Sequence, residues 1–287
     1  MAEPADVGAV IDARRTAARP DLAAAHLKGV VAADRFVDGM RRGVVAASAP
    51  LRRLPALDAP LDSEALHGET AYVYEEENGW AFVQLERDNY VGYLPSAALG
   101  VAIEPTHRVA VLRTHAYPGP SIKAPPRMAI SLGALLRIER LAGEFAISAD
   151  GAHYFARHLM PVDACEPDYV AVAERFLESP YLWGGRTSEG IDCSGLVQTA
   201  LRAAGAPAPR DSDMLEKEVG AHVPPDAPLR RGDLVFWRGH VGILADAKKT
   251  LIHANGWHMR VVKEALSEAQ ARIAANGGGA VTSVRRV

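Results

Sequence analysis

One cysteine and two histidines stand out in this chain for the residues around them. Cys193 lies in Asp192-Cys193-Ser194-Gly195-Leu196-Val197, where a polar residue precedes an apolar run, so a helix is expected to start at the cysteine. A helix start carries partial positive charge and unpaired N–H groups, which favour a thiolate and can later hold an oxyanion. The approach to it, Pro180-Tyr181-Leu182-Trp183-Gly184-Gly185, is aromatic and glycine-rich. Further on, His240 in Gly239-His240-Val241-Gly242-Ile243-Leu244 and His253 in Leu251-Ile252-His253-Ala254-Asn255 sit in strand-like runs. A cysteine on a helix tip with histidines on later strands can perform nucleophilic acyl chemistry on an amide.

Each residue has a bland alternative. Buried cysteines are mostly inert, and strand histidines often only pack. Context favours chemistry here, with Cys193 as nucleophile and His240 as the base that later protonates the leaving amine. Gly239 and Gly242 are expected to open space beside His240 for a substrate. His253 is the expected third member, orienting His240, with Asn255 and His258 as nearby competitors. Trp183 is expected to form a pocket wall. Asp211-Ser212-Asp213 ahead of Met214-Leu215 reads as a helix cap.

The elements that must position these groups fall into four stretches. Residues 1–43 form an N-terminal wrapping segment with a short helix capped by Asp21 and no evident chemistry. Residues 44–102 hold short β-branched and aromatic runs, with Asn78-Gly79 as a hairpin turn. Residues 103–163 repeat that texture more weakly around Asp150-Gly151, so two small β-barrels in tandem are expected. Residues 164–287 place helices at about 169–177 and 193–204 before a strand meander, the order of an α+β domain.

Composition narrows the partners. With 32 basic and 35 acidic residues, the net charge of −3 makes no case for nucleic acid or an anionic membrane. No run reaches the roughly 18–20 apolar residues of a membrane span. Residues 1–20 lack a basic start followed by an apolar block, so a signal peptide is absent from this sequence and a cytoplasmic location is expected, unless a leader was trimmed. Cys165 reads as an incidental thiol, since a bridge to Cys193 would disable the nucleophile. No His, Asp and Glu set shows zinc-ligand spacing, so neither metal nor cofactor is expected.

Four motifs in this order carry a resemblance over residues 165–287: Tyr181-Leu182-Trp183-Gly184-Gly185, Asp192-Cys193-Ser194-Gly195-Leu196-Val197, Arg231-Gly232-Asp233-Leu234-Val235-Phe236 and Gly239-His240-Val241-Gly242-Ile243. This stretch resembles the NlpC-type papain-like cysteine peptidases, which cleave peptidoglycan stem peptides. Gly68-Glu69, Asn78-Gly79-Trp80 and Tyr90-Val91-Gly92-Tyr93-Leu94-Pro95 resemble bacterial SH3-like domains. The resemblance implies two SH3-like barrels followed by a papain-like α+β catalytic domain. It also implies hydrolysis of the bond between γ-D-glutamate and a diamino acid (meso-diaminopimelate or lysine) in a murein stem peptide with a free N-terminal L-Ala, in cell-wall peptide recycling. By the same resemblance Tyr181 lines the site near the nucleophile, and Asp192, Ser194, Arg210, Asp211 and Ser212 help to bind substrate. Glu69 and Tyr90 of the first barrel would wall off one end of the cleft, with Glu69 taking the peptide's amine. The rival readings are a cell-wall amidase or thiol acyltransferase on the same fold, or a cell-wall-binding protein that has lost activity.

Overall fold

The structure, a computed structural model, describes residues 11–287. The expected wrapping segment is therefore visible from Ile11 on, and its first ten residues, with the reading of the N-terminus made from them, lie outside the described residues. After Asp21 the chain forms a strand, Leu22–Ala24, and one 3₁₀ turn, Ala25–Leu27, where a helix was expected. Leu22, Ala23 and Ala24 are all buried, so tertiary packing has overridden the helix-like local signal. The segment is stitched to the first β module by main-chain and side-chain bonds: Val91 N–H to Arg14 C=O at 2.8 Å and Gln84 Nε2 to Arg15 C=O at 2.8 Å.

That first module is a seven-stranded antiparallel sheet spanning residues 40–100. Its central hairpin joins Thr70–Glu77 to Trp80–Leu85 through Asn78 (φ 51°) and Gly79 (φ 81°), the left-handed pair that a two-residue turn needs. Inward residues such as Leu51, Val73, Val83, Leu85 and Leu94 form its core, and Met214, from a helix 120 residues further along, completes it. The barrel is thus sealed by the domain that carries the cysteine.

The second module has its own small core of Val109, Ile130, Leu136 and Tyr154. It is built from three separate small sheets, unlike the continuous sheet of the first. Within it the chain breaks at Arg137 between the strands Leu135–Leu136 and Ile138–Ala142, which join different sheets.

The last unit pairs four helices with a six-stranded antiparallel sheet. The helices are α1 (Tyr169–Glu174), α2 (Cys193–Ala203), α3 (Ser212–Glu218) and α4 (Leu266–Ala275). The strands run in the order Ala221–His222, Ser283–Arg286, Leu234–Trp237, His240–Leu244, Thr250–Asn255, Arg260–Ala265. Helix α2 lays Leu196, Val197, Ala200 and Leu201 against Val241, Ile243 and Ile252, all in one buried cluster. It ends at Gly205, whose φ of 85° makes the left-handed stop that its position suggested. This packing brings the start of α2 to the strand that begins at His240.

Candidate active site

Cys193 is the first residue of α2 and is 7% exposed. Asp192 caps the helix, its Oδ1 accepting the Gly195 N–H at 2.7 Å. Glycine is needed at 195 for contact reasons: a Cβ there would stand 2.4 Å from the Gly185 carbonyl. Gly184 (φ 77°) likewise lies against Leu61 of the barrel, where a Cβ would meet its carbonyl at 2.7 Å. The Trp-Gly-Gly run is therefore the seam along which barrel, approach loop and catalytic helix close.

Behind the cysteine lies a buried polar cluster. Arg210, 1% exposed, donates to both oxygens of Asp192 (2.9 and 2.7 Å), to Ser194 Oγ (2.8 Å) and to Ser63 Oγ of the barrel (3.0 Å). Arg210 thus faces inward and does not line the cleft, so its expected substrate contact is corrected to support of the helix cap. Asp192 and Ser194 do line the cleft, with both Asp192 oxygens already engaged.

The main-chain amides of Val241 and Ser194 favour the Cys193 thiolate. Burial, with the Asp192 charge, nevertheless pushes the thiol up to about 12. Burial pulls the His240 imidazole down to about 3, and the neighbouring His253 adds to that. Both shifts favour the neutral form of the group concerned. His240 Nε2 lies 2.8 Å from Nδ1 of the fully buried His253. Gly242 leaves room for that histidine, because a Cβ at 242 would come within 3.2 Å of the His253 Cβ and 2.8 Å of Leu251. The space Gly242 opens belongs to the third residue rather than to substrate. Asn255 and His258, the competitors, fall in behind: Asn255 Nδ2 is 3.1 Å from His253 Nε2, and its Oδ1 accepts the His258 N–H at 2.9 Å.

The cleft at Cys193 has a volume of about 380 Å³ and includes Tyr181, Trp183, Ser212 and Gly239 in its lining. Burial, together with the nearby Cys193 and Asp192, pushes the Tyr181 hydroxyl up, so it remains a donor. At one end the barrel contributes Tyr90, whose hydroxyl donates to Asp211 Oδ2 at 3.0 Å. Three further residues here escaped the sequence reading. Arg14, in a segment expected to carry no chemistry, donates to Asp211 at 2.7 Å and to Asp213 at 2.8 Å. Asp62 and Arg53, paired at 2.7 Å, complete the same end. Burial pushes the Asp211 carboxyl above its ordinary value despite Arg210, Tyr90 and Arg14.

Glu69 is the clear correction. It is 6% exposed and paired with Arg87 and, at 3.2 Å, with Arg186. It lines a separate cavity of about 540 Å³ where the two β modules meet the catalytic unit, away from Cys193. The carboxylate that the barrel presents to the cleft is Asp62. Cys165 is exposed and Cys193 buried, and both are free thiols.

Residues 178–274 match the NlpC/P60 family, and residues 51–99 match the bacterial dipeptidyl-peptidase SH3 domain. The chain carries an NlpC/P60 domain over residues 178–274 and is a cysteine peptidase. The SH3 match covers the first β module of this peptidase and not the second. A dipeptidyl-peptidase 6 of Lysinibacillus sphaericus is 27% identical over 225 residues, covering 70% of this chain and 82% of that protein. A gamma-D-glutamyl-L-lysine dipeptidyl-peptidase of Bacillus subtilis is 27% identical over 219 residues, or 68% and 72% of the two chains. The crystal structure of an NlpC/P60 family protein from Bacillus cereus superposes with a TM-score of 0.72 at 19% identity, covering 86% of this peptidase and 99% of that chain, which shows a shared fold.

Proposed function

We propose that this peptidase hydrolyses the bond between γ-D-glutamate and the diamino acid of murein stem peptides that begin with a free L-Ala. Cys193 is the nucleophile, His240 the base and later acid, and His253 the residue that orients His240. Attack of the thiolate on the γ-carbonyl forms a thioester as His240 delivers its proton to the leaving amine, and water then releases the dipeptide. The observation that carries the substrate reading is the closed end of the cleft. There Asp62, Asp211 and Asp213 face two guanidinium groups, Arg14 and Arg53. Asp192 is neutralised from behind by Arg210. The surplus of negative charge, against a wall built by the barrel and the N-terminal segment, suits a peptide that ends in an ammonium group. The names of the relatives agree with a γ-D-glutamyl bond and the release of a dipeptide.

A substrate already freed from the glycan fits recycling of wall peptides in the cytoplasm. Among the described residues no helix is long and apolar enough to cross a membrane. The division into a barrel at 44–102, a second β module at 103–163 and a catalytic domain at 164–287 belongs to the same proposal, with the first and last forming the cleft.

The test compares L-Ala-γ-D-Glu-meso-diaminopimelate with its N-acetylated twin by mass spectrometry. Acetylation removes the charge and leaves the acidic end of the cleft unpaired, so kcat/KM is expected to fall by at least about 10²-fold. Equal turnover of both peptides would remove the amine-reading role from Asp62 and Asp211. Turnover of neither would reject the murein substrate.

A further inference from the structure

Resting on the reading of Cys193 and His240 as the reacting pair, we propose that Glu264 is a positioning residue that sets which nitrogen of His240 carries the proton. Glu264 lies on the strand Arg260–Ala265, two residues beyond Val262, which is paired with His253 across the sheet. It therefore shares the face of His253 as its diagonal neighbour. Its Oε1 is 2.6 Å from His253 Nε2, and Arg272 of α4 holds its other oxygen at 2.6 Å. Burial pushes this carboxyl up, but the hydrogen bonds from His253 and Arg272 outweigh it and hold Glu264 at about 2. Glu264 is thus an acceptor only.

His253 must carry its proton on Nε2, which leaves Nδ1 with a lone pair. His240 must then donate from its own Nε2, 2.8 Å away, so its Nδ1 is left free to take the thiol proton. Asn255 pulls the other way. Its Oδ1 is committed to the His258 N–H, so it offers His253 Nε2 an amide that can only donate, at 3.1 Å. Were Asn255 to win, His253 would protonate on Nδ1 and donate to His240 Nε2. The His240 proton would then move to Nδ1, and the base would be blocked. The carboxylate of Glu264 decides between one working and one idle arrangement of the same two rings.

The test measures histidine tautomers by long-range ¹H–¹⁵N correlation in the ¹⁵N-labelled protein, beside kinetics on the murein tripeptide. The wild type is expected to carry Nε2–H on both His240 and His253. Glu264→Ala is expected to switch both to Nδ1–H and to lower kcat on the order of 10²-fold with KM nearly unchanged; a wrong tautomer in a Ser-His-Asp site costs up to about 10⁴. Adding Asn255→Ala to Glu264→Ala removes the competing donor and should recover roughly tenfold of the lost kcat, a rescue that a purely structural defect would not show. The proposal is overturned if wild-type His253 carries Nδ1–H, a result that needs no variant to fold. It is equally overturned if Glu264→Ala keeps wild-type tautomers, or switches them at undiminished kcat. Failure of the wild type to cleave the tripeptide would reject the substrate reading alone, since the tautomers would still be read.

Discussion

Replacing Cys193 by Ala is expected to lower kcat on the murein tripeptide by on the order of 10⁶-fold while leaving its binding intact. That is the scale seen when the nucleophile of a Ser-His-Asp hydrolase is removed, because the other members act only through it. The fold should tolerate the change. Cys193 is the first residue of α2, and the capping bonds of that helix belong to Asp192, not to the sulfur. Kinetics with the tripeptide, beside isothermal titration of the variant, separate the two effects. Activity within tenfold of wild type would move the chemistry to another group. Lost binding with retained fold would mean that the sulfur also shapes the cleft.

The second large effect is on stability. Arg210→Met is expected to destabilise the protein by about 3–5 kcal/mol, because it leaves Asp192 as a buried carboxylate without its cation. Asp192 Oδ2 would keep only the Gly184 N–H at 2.8 Å, and Oδ1 the Gly195 N–H and the Ser194 hydroxyl. For a chain of this size the melting temperature should drop by on the order of 10 °C. Turnover should fall as well, since the same cluster ties the start of α2 to Ser63 of the barrel. Arg210→Lys restores the charge without the planar fork and should land between the two. Calorimetry gives the answer directly: a shift under about 2 °C for Arg210→Met would show that the cluster is not what holds the catalytic helix in place.

Much of this site could be read from local sequence because its determinants are local. The Asp192 cap, the helix that follows it and the Gly205 stop lie within fifteen residues, and each acts through near neighbours. The same is true of Asn78-Gly79, whose backbone angles alone join two strands. Residues whose role depends on register or on distant packing were not legible. Glu264 reaches His253 only because Val262 is its strand partner, and no local pattern fixes that pairing. Arg14 meets Asp211 from 197 positions away. Glu69 and Asp62 illustrate the same limit within one barrel: both are acidic and near strand ends, yet Arg186 draws one into the junction and leaves the other facing the cleft. The resemblance implies a substrate contact for Arg210, whereas the buried carboxylate of Asp192 draws it inward, a pairing between residues 18 positions apart that no local pattern marks.

The most direct measurement uses an electrophile built on the product half of the substrate, an L-Ala-γ-D-glutamyl chloromethyl ketone, followed by peptide mapping. Cys165, exposed and outside the cleft, serves as the internal control. The account predicts one equivalent of label on Cys193, formed ahead of any on Cys165 and blocked by the murein tripeptide. Label on Cys165 first, or none on Cys193 in enzyme that still turns over the tripeptide, would contradict it.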